Sequence, residues 1–149
     1  HSEGKHAKEL ALEGPSTGRW IPEIIAENNP DDESYFPYMN GQFVFKHAVM
    51  RFSEAIVEGL EANGLQKEDI NMLIPHQANL RIAQFIQRKF QLNDDQVYNN
   101  IMNYGNTTAA SVIIALTEAW EKGKINDDDL VVLAAFGSGF TWGSVVIRW

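Results

Sequence analysis

The chain has 149 residues, 44% of them hydrophobic and 21% charged, which is the composition of one globular domain with room for a single core. Its formal net charge of −8 argues against a nucleic-acid phosphate backbone as partner. Cysteine is absent, which excludes disulfides and thiolate metal sites within the chain, and no apolar run reaches the length of a membrane span.

The N-terminal stretch HSEGKHAKEL lacks the apolar core of a secretory signal. It also lacks an initiator methionine, which suggests a chain cut from something longer. The absence of cysteine is compatible with a cytoplasmic protein.

Residues 1–40 read as an irregular lead-in. EGPSTGRW and ENNPDDESYFPYMNG, with prolines at 22, 30 and 37 and the polar run Asp31–Ser34, are loop-like, and KELALEG has room for one short strand. From Gly41 the pattern sharpens into a domain spanning 41–149. Phe45, Ala48, Val49, Phe52, Ile56 and Leu60 recur at helical spacing, and ANG at 62–64 supplies a stop. INMLIP is a short buried strand closed by proline. Ile82, Ala83, Ile86 and Phe90 mark a second helix, and QVYNNI suits a short strand.

GNTTAASVIIALTEAWEKGK reads as a third helix, with Asn106 to Thr108 as cap residues and Gly123 as the stop. Its middle is apolar nearly all round, which predicts burial between layers. DLVVLAAFGSGFTWGSVVIRW then reads as two apolar strands joined by a glycine-rich turn. Strands alternating with helices and ending in a hairpin predict an α/β fold, a mixed sheet covered by helices.

Three places could carry chemistry. His76 follows Pro75 at the C-terminal end of a predicted strand, where ligand sites gather in open α/β sheets. Taken alone, it reads first as a satisfied strand-end histidine. Asn106 reads as a helix cap, yet an amide at that place is also a good donor to a developing oxyanion. Gly137, Gly139 and Gly143 permit backbone N–H groups to face a cavity, or simply turn a hairpin. His1, His6 and His47 show no metal-ligand spacing, and NDDD at 126–129 lacks the alternation and glycine that calcium needs. No metal is expected. Trp20, Trp120, Trp142 and Trp149 read as core or interface residues.

Together, PHQANLRI, GNTTAAS and AFGSGFTWGSVVIRW closely resemble the C-terminal half of the β-ketoacyl-acyl-carrier-protein synthase III family, with GQFVFKHAV at 41–49 in support. The resemblance covers residues 39–149. It implies one half of a thiolase-like fold, and a decarboxylating Claisen condensation that starts fatty-acid synthesis. The family's trio is cysteine, histidine and asparagine; His76 and Asn106 match the last two, and the cysteine belongs to the other half. In this reading His76 and Asn106 stabilise the enolate. Phe136, Gly137 and Ser138 form the active-site turn, with Ser138 standing where relatives commonly carry glycine. Phe136 shields the histidine–asparagine pair from water.

Asn79 matches a position contacting the pantetheine arm of coenzyme A, and Gly41 and Phe45 resemble tunnel-lining positions. Arg81 and Lys46 resemble residues that attract an acidic carrier protein; as plain surface charges they would contribute little. The implied partners are acyl-carrier protein, acyl-CoA, the chain's own N-terminal half and a second copy in a homodimer. No cofactor, nucleic acid or membrane is implied. Two alternatives stay open: a chalcone-synthase-like polyketide enzyme, and a catalytically silent subunit that binds acyl-carrier protein. Elongating synthases use two histidines, so Asn106 argues against them.

Overall fold

The computed structural model describes residues 1–12 and 36–149. The loop readings over Asp31–Ser34, Pro22 and Pro30, and the placement of Trp20, lie outside those residues. Gly4–Glu9 forms a 3-10 turn, after which β1 (Leu10–Ala11) pairs antiparallel with β2 (Tyr38–Met39). The strand expected in KELALEG is present. Its partner, Tyr38–Met39, lies in a stretch read as loop, so the lead-in is not irregular throughout.

Helix α1 (Gly41–Glu61) starts where Asn40 Oδ1 accepts the Phe43 N–H, and it buries Val44, Ala48, Phe52, Ile56 and Leu60 along one side. The chain turns at Gly64, whose φ of +67° suits only glycine well. Strand β3 (Met72–Pro75) is buried at all four positions. It has no solvent face because both sides of the sheet are covered.

Helices α2 (Leu80–Phe90), α3 (Ile101–Tyr104) and α4 (Ala110–Glu121) cross over to β4 (Leu130–Gly137), and β5 (Thr141–Arg148) closes the hairpin. The sheet order is β3–β4–β5, with β3 parallel and β5 antiparallel to the central strand. Met72 aligns with Val131, and Leu130 with Arg148.

Alternation along the strands divides the core. Leu73, Leu130, Val132, Ala134 and Phe136 pack with α1 and α2 through Phe52, Ile56, Leu60, Ile82, Ile86 and Phe90. Met72, Ile74 and Val131 pack with α4 through Ala115 and Ala119. Each large buried side chain contributes roughly 1.5–3 kcal/mol, and the first cluster holds most of them. The sheet's α1 face therefore carries most of the stability.

Three expectations are corrected. QVYNNI is not a strand: Val97 alone bridges Leu73, and the chain then turns into α3, which the sequence reading did not anticipate. The reason is local, since the Asn100 and Ile101 N–H groups are taken by the Gln77 side chain rather than by a neighbouring strand. The third helix begins at Ala110, after Asn106–Thr108, because Thr108 adopts a φ of +53° that no helix tolerates. Nor is α4 buried all round. Its small residues Ser111, Ala115 and Ala119 face the sheet, while Ile113 and Trp120 are 58% and 55% exposed. Trp120, and Trp149 after β5 at 37% exposed, are not core residues of this chain.

Candidate active site

β3 delivers His76 at its C-terminal end, and the His76 backbone N–H donates to Ala134 O on β4 at 2.8 Å. The His76 Nδ1 lies 2.5 Å from Ser111 Oγ, in the first turn of α4. The same hydroxyl accepts the Gln77 N–H at 3.2 Å. Burial pushes the His76 pKa below the ordinary histidine value, so the ring is neutral at pH 7.

Gln77 is only 3% exposed, and its amide is fully used. Nε2 donates to Pro75 O at 2.7 Å and to Tyr98 O at 3.4 Å; Oε1 accepts from Asn100 N at 3.0 Å and Ile101 N at 3.1 Å. This one side chain ties the strand end that bears His76 to the entry of α3. Asn100 continues the tie, donating from Nδ2 to Glu118 Oε2 on α4 at 2.7 Å. Lys122 and Asn100 beside it hold the Glu118 carboxyl below the usual range, so it stays ionised.

α3 ends at Gly105, φ +68°, and Asn106 follows. Asn106 Oδ1 accepts the Thr108 N–H at 2.8 Å, a turn bond and not a cap on α4. Thr108 is β-branched and left-handed, a backbone state that costs of order 1–3 kcal/mol and recurs where function over-determines the fold. The amide nitrogen of Asn106 and Nε2 of His76 have no partner among the described residues.

The β4–β5 turn closes the same end of the sheet. A Cβ on Gly139 would fall 2.9 Å from Thr141 N, and its φ of +135° also requires glycine. Thr141 Oγ1 donates to Ser138 O at 2.8 Å. Phe140 is fully buried and exchanges backbone bonds with Glu3, at 2.7 and 3.1 Å. Residues near the N-terminus thus brace the turn. Lys5 and Arg51 beside Glu3 bring its carboxyl down to about 2.

Residues 60–149 match the family model described as 3-oxoacyl-[acyl-carrier-protein (ACP)] synthase III C terminal. The chain belongs to that family. Relatives named beta-ketoacyl-[acyl-carrier-protein] synthase III are 48% identical over 111 residues in Geobacillus kaustophilus, and 53% identical over 112 residues in Caldanaerobacter subterraneus subsp. tengcongensis. Those alignments take in 74% and 75% of this chain but 36% and 34% of the relatives. The crystal structure of the Thermus thermophilus synthase III superposes on the whole chain with a TM-score of 0.83 at 39% identity, using 44% of its own length. The fold is one part of a thiolase-like synthase III, and this chain spans about a third to under half of its relatives.

Within this synthase III part, the other sequence-predicted residues are spread more widely. Asn79 caps α2, its Oδ1 accepting the Arg81 N–H at 2.9 Å. Gly41 opens α1 with open space around its Cα, and Phe45 is half-buried against the larger core cluster. Arg81 and Lys46 are exposed and form no ion pair among the described residues. Phe136 is 5% exposed on the α1 face, its ring 4.9 Å from that of Phe140, and it forms no ring pair with His76. Among the described residues no cluster of three or more His, Asp or Glu could hold a metal, and no helix is long and apolar enough to cross a membrane.

Sequence reasoning missed Gln77, Ser111 and Glu3. The first two lie inside the quoted motifs PHQAN and TTAAS. Spacing gave no signal for either, since neither sits inside a buried apolar run. Glu3 carried no signal in sequence.

Proposed function

We propose that the chain is the C-terminal part of a β-ketoacyl-acyl-carrier-protein synthase III, and that His76 and Asn106 supply its decarboxylation half-site. One observation carries this reading. His76 and Asn106 each have one polar atom engaged by the fold, Nδ1 by Ser111 and Oδ1 by Thr108, and the other atom left free. In this reading the two free atoms, His76 Nε2 and the Asn106 amide nitrogen, are the donors.

In the reaction, a cysteine thiolate of the remaining part attacks the carbonyl of a short acyl-CoA, the C–S bond to coenzyme A breaks, and coenzyme A leaves as its thiolate. The C–C bond of malonyl-carrier protein then breaks, CO2 leaves, and the electron pair passes into an enolate on the thioester oxygen. His76 Nε2–H and the Asn106 amide hold that oxygen. The enolate carbon attacks the acyl carbon, and the cysteine leaves as thiolate. A preorganised donor of this kind is worth roughly 3 kcal/mol, about a hundredfold or more in rate. The Ser138 backbone N–H, in the turn with Phe136 and Gly137, serves the acyl-transfer oxyanion together with the cysteine's own N–H.

Asn79, Gly41 and Phe45 line the pantetheine path, and Arg81 and Lys46 draw in the acidic carrier protein by charge. Met102, Tyr104 and Ile113, 63%, 53% and 58% exposed near the site, form the apolar face that the N-terminal part covers. The complete enzyme is a cytoplasmic homodimer that needs no cofactor beyond its thioester substrates.

The test is malonyl-carrier-protein decarboxylation by this chain alone and mixed with a separately made N-terminal part. Activity in the mixture only is expected. A demonstrated folded complex without activity overturns the reading in favour of a silent binding subunit.

A further inference from the structure

We infer that Ser111 is a positioning residue: its hydroxyl proton fixes His76 in the tautomer that carries hydrogen on Nε2, and the Gln77 backbone sets the direction of that bond. Ser111 Oγ has one proton and two neighbours. The Gln77 N–H, 3.2 Å away, can only donate, so it takes one of the oxygen's lone pairs. The other neighbour is His76 Nδ1, at 2.5 Å. If Nδ1 carried hydrogen, Oγ would accept twice and its own proton would need a third partner. Among the described residues none is within reach, and Ser111 is 1% exposed, so solvent does not supply one. A buried hydroxyl proton without an acceptor is costly. The proton therefore lies on the line from Oγ to Nδ1, and the ring hydrogen sits on Nε2.

The Gln77 N–H is itself held in place. Its side chain is clamped by bonds to Pro75, Tyr98, Asn100 and Ile101, which fixes the peptide plane that faces Ser111. Ser111 is also fixed, because it belongs to the first turn of α4. The device thus consists of two rigid elements meeting at one hydroxyl, with the imidazole oriented between them. The use of that Nε2–H rests on the function proposed above; the tautomer itself does not. A serine that only satisfied the Gln77 N–H would leave the ring free to exchange tautomers.

The experiment is nitrogen NMR on the complete synthase labelled at histidine, with the His76 signal assigned by its loss in His76→Gln. The expected result is a single tautomer in the unsubstituted protein, hydrogen on Nε2 and a hydrogen-bonded, bare Nδ1. In Ser111→Ala the second tautomer becomes visible, and malonyl decarboxylation falls about 10- to 100-fold, part of what a lost donor costs. Cysteine acylation changes little. Ser111→Thr, which keeps the hydroxyl, restores both readouts.

Hydrogen on Nδ1 in the unsubstituted protein overturns the inference, and this arm needs no variant to fold. An unchanged tautomer in a folded Ser111→Ala protein also overturns it. A shifted tautomer with unchanged decarboxylation upholds the positioning role and overturns the proposed function instead.

Discussion

Asn106 Oδ1 accepts the Thr108 backbone N–H at 2.8 Å, so the side-chain amide is engaged at its oxygen and open at its nitrogen. Substitution can separate these two tasks. Aspartate keeps an acceptor for Thr108 and removes the donor. Asn106→Asp is expected to fold with an unchanged melting temperature and to lose malonyl decarboxylation by at least about 10²-fold, the scale for one oxyanion donor. Alanine removes both functions and is expected to loosen the turn as well. Activity retained in the aspartate variant would show that Asn106 serves the turn alone.

The burial of His76 sets a sign for acid sensitivity. Its folded pKa lies below the ordinary value of 6.5 because the charged ring is poorly solvated there. Between the folded and unfolded values the unfolded chain holds a proton that the folded chain lacks. Stability therefore rises with pH through that window and is lost on acidification below 6.5. The prediction is a melting-temperature difference, the unsubstituted complete protein minus His76→Gln, that shrinks as pH falls below 6.5 and is constant above it. A difference that does not vary with pH would contradict the burial argument. Decarboxylation follows the neutral ring, and is expected to be flat across neutral pH and to fall only on the acid side.

The layout was legible in sequence wherever apolar period and turn chemistry agreed. The face of α1, the buried β3 and the β4–β5 hairpin follow directly from spacing, because burial on a sheet or helix imposes a fixed period. What spacing could not show is where a polar side chain takes over backbone bonds. Gln77 does this for Asn100 and Ile101, and so a plausible strand after Val97 became a turn and α3. Asn106 met the rules for a cap, but its oxygen is committed to Thr108 and the helix begins later. His76 could be placed at a strand end, while its partner Ser111 lies far along the chain and only folding brings the two together. The apolar circumference of α4 predicted burial, but this chain covers only the side bearing Ser111, Ala115 and Ala119.

Helix α1 packs against β5 at Gly59, and the contact makes a prediction whose sign changes with its neighbour. A Cβ at Gly59 would lie 2.6 Å from Ser144 Oγ and 3.2 Å from Val146 Cγ2. Ser144 cannot easily turn aside, since its hydroxyl donates to Ala55 O on α1 at 2.6 Å. Gly59→Ala gains about 1 kcal/mol of helix propensity and meets an overpacking cost of roughly 1–3 kcal/mol. The expected net effect is a loss of up to about 2 kcal/mol, read as a lower denaturant midpoint. In a Ser144→Ala background the nearest obstacle is gone, and only the Val146 contact remains tight. There Gly59→Ala is expected to stabilise by about 0.5–1 kcal/mol, most of its propensity gain. Equal effects in the two backgrounds would mean that helix and strand shift apart freely. Opposite signs would place Gly59 as the residue that lets α1 settle onto the strand carrying one side of the β4–β5 turn.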